Sequence, residues 1–132
     1  MSFFRDRQRV QGECKKKTGG SLMKELFEIA GTDLRVKIPS DLDHPVSDQI
    51  RKESDRIMES IYIRRMIFDF SETVFMDSSG IGLIMGRYRA LGMKQGCILA
   101  EGANEHIQRL LRLSGVHRYM EIRESIEEGS KK

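Results

Sequence analysis

Apolar residues change their spacing several times along this chain, and each change marks an element. Leu26, Glu28 and Ala30 alternate with Phe27 and Ile29, Gly31-Thr32 supplies a turn, and Leu34, Val36 and Ile38 alternate again. Alternation on both sides of a short turn predicts a β-hairpin. Pro39 stops the second strand, and the polar stretch Ser40 to His44 reads as a loop. Pro45 suits a first helical position. Val46, Ile50, Ile57 and Ile61 then follow at spacings of four, seven and four, which gives a helix one apolar face. Met66-Ile67-Phe68-Asp69-Phe70 is a short apolar run without clean alternation, as expected of a central strand covered on both sides. Helical spacing returns with Ile81, Ile84, Met85, Tyr88 and Leu91, and Gly92 is placed to stop that helix. Gly96 introduces a buried strand over Cys97 to Ala100. Asn104 can cap a third helix carrying Ile107, Leu110, Leu111 and Leu113 and ending at Ser114-Gly115, and Tyr119 to Ile122 makes a last short strand. Strands that alternate with helices need right-handed crossovers. The pattern therefore predicts an α/β fold, a mostly parallel β-sheet with an N-terminal β-hairpin and helices packed against it.

Size and composition narrow the function classes. A chain of 132 residues, 39% hydrophobic and 33% charged, is that of one globular domain. It has no apolar run approaching the roughly 18 residues of a membrane span. Arg5, Arg7 and Arg9 are not followed by an apolar stretch, so no secretory signal is read and a cytoplasmic location is expected. Cys14 and Cys97 form no C-x-x-C and lack neighbouring ligands, so they are expected to be free thiols, with no metal and no cofactor.

Charge is unevenly distributed. Residues 1–24 carry seven Lys/Arg against Asp6 and Glu13, while the remainder holds 16 basic and 18 acidic residues. The net charge of +3 thus describes an extension and not the domain. Residues 1–23 have little apolar periodicity and are expected to be a basic, disordered extension, 24–123 one domain, and 124–132 a tail. The extension lacks interleaved aromatics and a nucleic-acid fold motif, which argues against nucleic acid as its partner.

The candidate chemistry lies in Phe75-Met76-Asp77-Ser78-Ser79-Gly80-Ile81-Gly82, at a strand-to-helix junction where α/β folds gather functional groups. A hydrolase elbow needs G-x-S-x-G, and residues 76–80 lack the first glycine; His44, His106 and His117 are the candidate bases. A phosphate cradle is weakly supported, because Gly80, Gly82 and Gly86 do not fit G-x-G-x-x-G and no P-loop lysine follows. Gly82 and Gly86, four residues apart, would permit close packing against a strand or helix. Helix capping explains Asp77 and a neighbouring hydroxyl. It leaves two successive serines beside an acid unexplained.

The run FMDSSGIGLIMGRYRALGMKQG (75–96), with DLDH at 41–44 and IQRLLRLSGVHRYMEI at 107–122, resembles the STAS domain of bacterial anti-sigma factor antagonists of the sporulation and stress type. The resemblance covers roughly residues 33–122, and departs from the family pattern at Ser40, where glycine is common, and in the basic extension. It implies a regulator and not an enzyme. Such a protein binds an anti-sigma factor, itself an ATP-dependent serine kinase, and so releases a sigma factor. Phosphorylation inactivates it and a serine phosphatase restores it. By position the modified residue corresponds to Ser78, and the resemblance implies a partner surface of Asp43, His44, Asp77, Ser78, Ser79, Gly80, Ile81, Gly82 and Arg87. Asp43 or His44 would alternatively cap the helix at Pro45, Ile81 would be core, and Arg87 and Arg89 a solvated helix face. Other readings are a STAS subunit or scaffold of a larger signalling assembly and a small serine hydrolase.

Overall fold

The computed structural model describes residues 25–123 of the 132-residue chain, so the basic extension and the C-terminal tail lie outside the described residues. The order is β1 (Phe27–Ala30), β2 (Asp33–Lys37), β3 (Asp41–Leu42), α1 (His44–Ser60), β4 (Arg65–Asp69), β5 (Phe75–Met76), α2 (Ser78–Ala90), β6 (Ile98–Glu101), α3 (Glu105–Ser114), a 3-10 turn (Val116–Tyr119) and β7 (Glu121–Arg123). Five strands form the main sheet in the order β1-β2-β4-β6-β7. Only the β1–β2 pair is antiparallel. Its register pairs Ala30 with Asp33 across Gly31-Thr32, and Gly31 supplies a φ of +64° at the first central position of the turn.

One sheet face carries Leu34, Val36, Met66, Phe68, Ile98 and Ala100, which pack with Ile50 of α1, Leu83 and Ile84 of α2, and Ile107 and Leu111 of α3. On the opposite face the register partners Ile67 and Leu99 are also buried, next to Arg35, whose guanidinium pairs with Glu101 at 2.8 Å. Apolar side chains buried on both faces explain why β4 has no alternation.

Several boundaries depart from the pattern. Asp41-Leu42 is not loop but a strand, paired in parallel with Phe75-Met76 as a separate two-stranded sheet. Two residues are too few for a period to register. Tyr119 ends the 3-10 turn, and the last strand begins at Glu121. Leu113 lies on the outer side of α3, 77% exposed, and Ile61 is the exposed C-cap of α1. Ser47 and Ser54 are buried on α1 along with Ile50, so polar residues share its inner face.

The glycines also sort differently from their spacing. A Cβ at Gly80 would sit 2.5 Å from Met76 Cγ and 2.9 Å from Leu42 Cδ2, whereas at Gly82 and Gly86 it would meet nothing within 4 Å. The close approach therefore occurs at Gly80, where the first turn of α2 presses on the β3–β5 pair. Gly80→Ala should destabilise the domain by about 1–3 kcal/mol through overpacking. Gly82→Ala and Gly86→Ala should stabilise it by about 0.5–1 kcal/mol, since alanine loses less backbone freedom in a helix. Urea unfolding midpoints check both; equal destabilisation at all three positions would contradict this packing.

Candidate functional site

Two helices start side by side because the strands that feed them are paired. Leu42 lies opposite Met76 in β3–β5, both side chains are buried, and Leu42 O accepts the Asp77 N–H at 3.3 Å. Each chain then enters a helix through an aspartate. Asp43 caps α1, accepting from Val46 N–H at 3.2 Å, and Asp77 caps α2, accepting from Ser79 N–H at 2.8 Å. Both caps have extended backbone, as N-caps require. Asp43 thus performs the capping, while His44 is the first residue of α1 and Pro45 the second.

This arrangement separates the two hydroxyls. Ser78 is the first residue of α2 and is exposed. Ser79 is half-buried, its N–H is taken by Asp77, and its Oγ faces His44 Nδ1 at 3.4 Å. That separation is long for a nucleophile and its base, which usually lie about 2.6–3.2 Å apart. Ser78 therefore offers the accessible hydroxyl, at the positive end of a helix dipole that favours added negative charge. Among the described residues no group of three or more His, Cys, Asp and Glu is placed to hold a metal ion.

The remaining candidates divide. Gly80 is buried, Gly82 is exposed on the first turns of α2, and Ile81 is half-buried against the core. Arg87 is not on a solvated face. It is only 4% exposed, and its Nη1 donates to Ser54 Oγ at 3.0 Å and pairs with Asp55 Oδ1 at 2.6 Å, tying α2 to α1. A buried arginine is consistent with its position one turn after Leu83 and Ile84 on the inner stripe of α2. Its stem packs inside while only the paired Asp55 reaches solvent. Arg87 braces the two helices and offers little to a partner. Arg89, by contrast, is exposed.

The pattern missed two residues of the same surface. Val74 and Phe75 are 67% and 45% exposed just before Asp77, because Ser40 O accepts both of their N–H groups and Met76 takes the inward side. The available signal was the run Val74-Phe75-Met76, three successive apolar residues of which an extended segment cannot turn all to one side. Ser40 itself needs no glycine geometry: among the described non-glycine residues only Met93 has positive φ.

Known proteins share the fold and the sequence pattern of this chain. The family model described as STAS domain matches residues 25–129. The anti-sigma F factor antagonist of Paenibacillus polymyxa is 34% identical over 89 residues, covering 67% of this chain and 76% of its own. The anti-sigma-B factor antagonist of Listeria monocytogenes is 24% identical over 101 residues, 75% of this chain and 86% of that one. Among solved structures, the anti-sigma factor antagonist SpoIIAA in its unphosphorylated form superposes with a TM-score of 0.65 at 26% identity, covering 73% of this chain and 84% of its own. The Bacillus cell fate determinant SpoIIAA in the phosphorylated form gives 0.58 at 28% identity, covering 73% and 87%.

Capping and charge at residue 77 are separable by substitution. Asp77→Ala should cost about 0.5–2 kcal/mol in unfolding free energy, while Asp77→Asn, an equally good cap, should change it by no more than a few tenths. If Asp77→Asn proves as damaging as Asp77→Ala, the carboxylate acts through something other than the Ser79 amide.

Proposed function

The chain belongs to the STAS domain family, and from that premise we propose that it is an anti-sigma factor antagonist switched by phosphorylation of Ser78. The anti-sigma factor is its partner and, with ATP, its serine kinase; binding releases the sigma factor, and a serine phosphatase returns the modified protein to the active form. The chain acts as a regulator and not as a catalyst. One observation carries the choice of residue. Of the two adjacent hydroxyls, that of Ser78 is exposed at the head of α2, whereas Ser79 is half-buried with its amide bound to Asp77. The partner surface comprises Asp77, Ser78, Ser79 and Gly82 at the head of α2, the half-buried cap Asp43 and His44 at the head of α1, and the apolar pair Val74 and Phe75.

The switch follows from charge. A phosphate adds about −1.5 to −2 charge and three acceptor oxygens. At the first position of α2 the helix dipole accommodates it, so the fold stays as it is. For a partner the effect is opposite: the docking face, which already carries Asp43 and Asp77, becomes strongly anionic. Loss of about 2–4 kcal/mol at the interface lowers affinity roughly 30-fold to 1000-fold, enough to release a partner.

Incubation with the cognate kinase and ATP should add the mass of one phosphate, and Ser78→Ala should abolish the addition; a phosphate still accepted by Ser78→Ala would reject the site. Ser78→Asp should weaken partner binding at least tenfold with the thermal midpoint nearly unmoved. A collapse of the midpoint would assign Ser78 a structural role instead.

A further inference from the structure

The pole that carries Ser78 is rich in carboxylates and poor in cations. β3 brings Asp41 to it, α1 brings Asp43 and, one turn on, Asp48, and α2 brings its cap Asp77. Residues 40–48 and 72–82, which build the two helix heads, hold no lysine or arginine. Cations just outside these segments are engaged: Lys37 pairs with Glu72 at 3.1 Å, and Arg51 and Lys52 hold the Asp48 carboxyl below its ordinary range. His44 is therefore the one side chain in the two segments able to carry a positive charge. Its placement matters as much. His44 is exposed as the first residue of α1, and its Nδ1 lies 3.4 Å from Ser79 Oγ, between the two helix heads. Ser78 is the adjoining residue, its Cα about 3.8 Å from that of Ser79, and it is exposed. A bond of 3.4 Å to a neutral hydroxyl is long. A charge-assisted bond to a phosphate oxygen closes to about 2.7–2.9 Å and is roughly twice as strong.

We propose that His44 is the counter-ion of phosphorylated Ser78: its imidazole leaves the Ser79 hydroxyl, takes a proton from solvent and donates to a phosphate oxygen. Asp41, Asp43 and Asp77 share the negative charge of this end and can donate nothing to a phosphate at neutral pH. A protonated ring offsets part of the added charge on the docking face, and a neutral ring offsets none. Release of the partner is thus graded by pH and fullest where the ring is neutral. That consequence rests on the phosphorylation reading; the contact between ring and phosphate does not.

Phosphoserine placed at position 78 of the full-length chain during translation makes the test independent of any kinase. The second ionisation of that phosphate is read by phosphorus NMR. Its midpoint should lie about half a pH unit or more higher in His44→Gln than in the protein with His44, because an adjacent cation favours the dianion. His44→Lys, which keeps a cation at the same position, should hold the midpoint low. The ring resonances of His44 should follow the phosphate titration, and those of His106 and His117 should not. A midpoint that stays in place in His44→Gln, that moves as far in His106→Gln, or that rises as much with lysine as with glutamine would overturn the proposal. If the cognate kinase fails to modify Ser78 in the unaltered protein, the phosphorylation reading fails, while the titration of the inserted phosphoserine still decides the role of His44.

Discussion

The site depends on a pairing of two residues with two. Asp41-Leu42 and Phe75-Met76 run parallel outside the main sheet, and every feature of the functional pole follows from that register. It brings the chain into α1 and α2 at neighbouring points, so that two aspartate-capped helix starts share one surface. It turns Met76 and Leu42 inward and leaves Phe75 outward. The absence of a side chain at Gly80 lets α2 approach this pair; a methyl group there would strike Met76 and Leu42. Such a short pairing has little stability of its own. Packing holds it in place: Leu42 and Met76 belong to the core, the Thr73 hydroxyl donates to Ile38 O, and the Asn104 side-chain amide donates to Thr73 O.

A rigid pole of this kind suits a switch that works by charge. Arg87 braces α1 and α2 from within through Ser54 and Asp55, and the caps fix both helix starts. A buried guanidinium is costly unless it is well paired, and its Nε has no partner, so the brace is more valuable for fixing geometry than for net stability. With the scaffold fixed, the phosphate proposed at Ser78 would alter what a partner meets without altering what the core holds. The helix dipole and solvent exposure make the added charge tolerable inside the protein. An approaching anionic or apolar surface has neither compensation.

Much of this was legible in the sequence, and what was not has physical causes. The hairpin, the central apolar strands and the Asn104 cap could be read because period, turn residues and capping chemistry agree over several residues. The head of α2 was legible as a junction from Asp77 to Gly80. The β3–β5 pair was not, since a two-residue strand has no periodicity and its partner lies more than thirty residues away. Arg87 was misplaced because a charged side chain at helical spacing is ordinarily solvated, and only the tertiary partners Ser54 and Asp55 reverse that expectation. The roles of the glycines were also hidden, because spacing does not reveal which glycine another side chain approaches. The resemblance carried by residues 75–96 pointed to the right family before the pole could be seen, whereas the exposure that distinguishes Ser78 from Ser79 required the fold.

The central claim is that the switch is a change of local charge on an unchanged scaffold. Amide hydrogen exchange, measured on bare and Ser78-phosphorylated protein alongside affinity for the anti-sigma factor, tests it most directly. The account predicts equal protection in β4, β6 and at the Asp77 amide that binds Leu42 O, together with a fall in affinity of at least tenfold. Loosened protection at Asp77 and across the core, or affinity that does not respond to the phosphate, would contradict it.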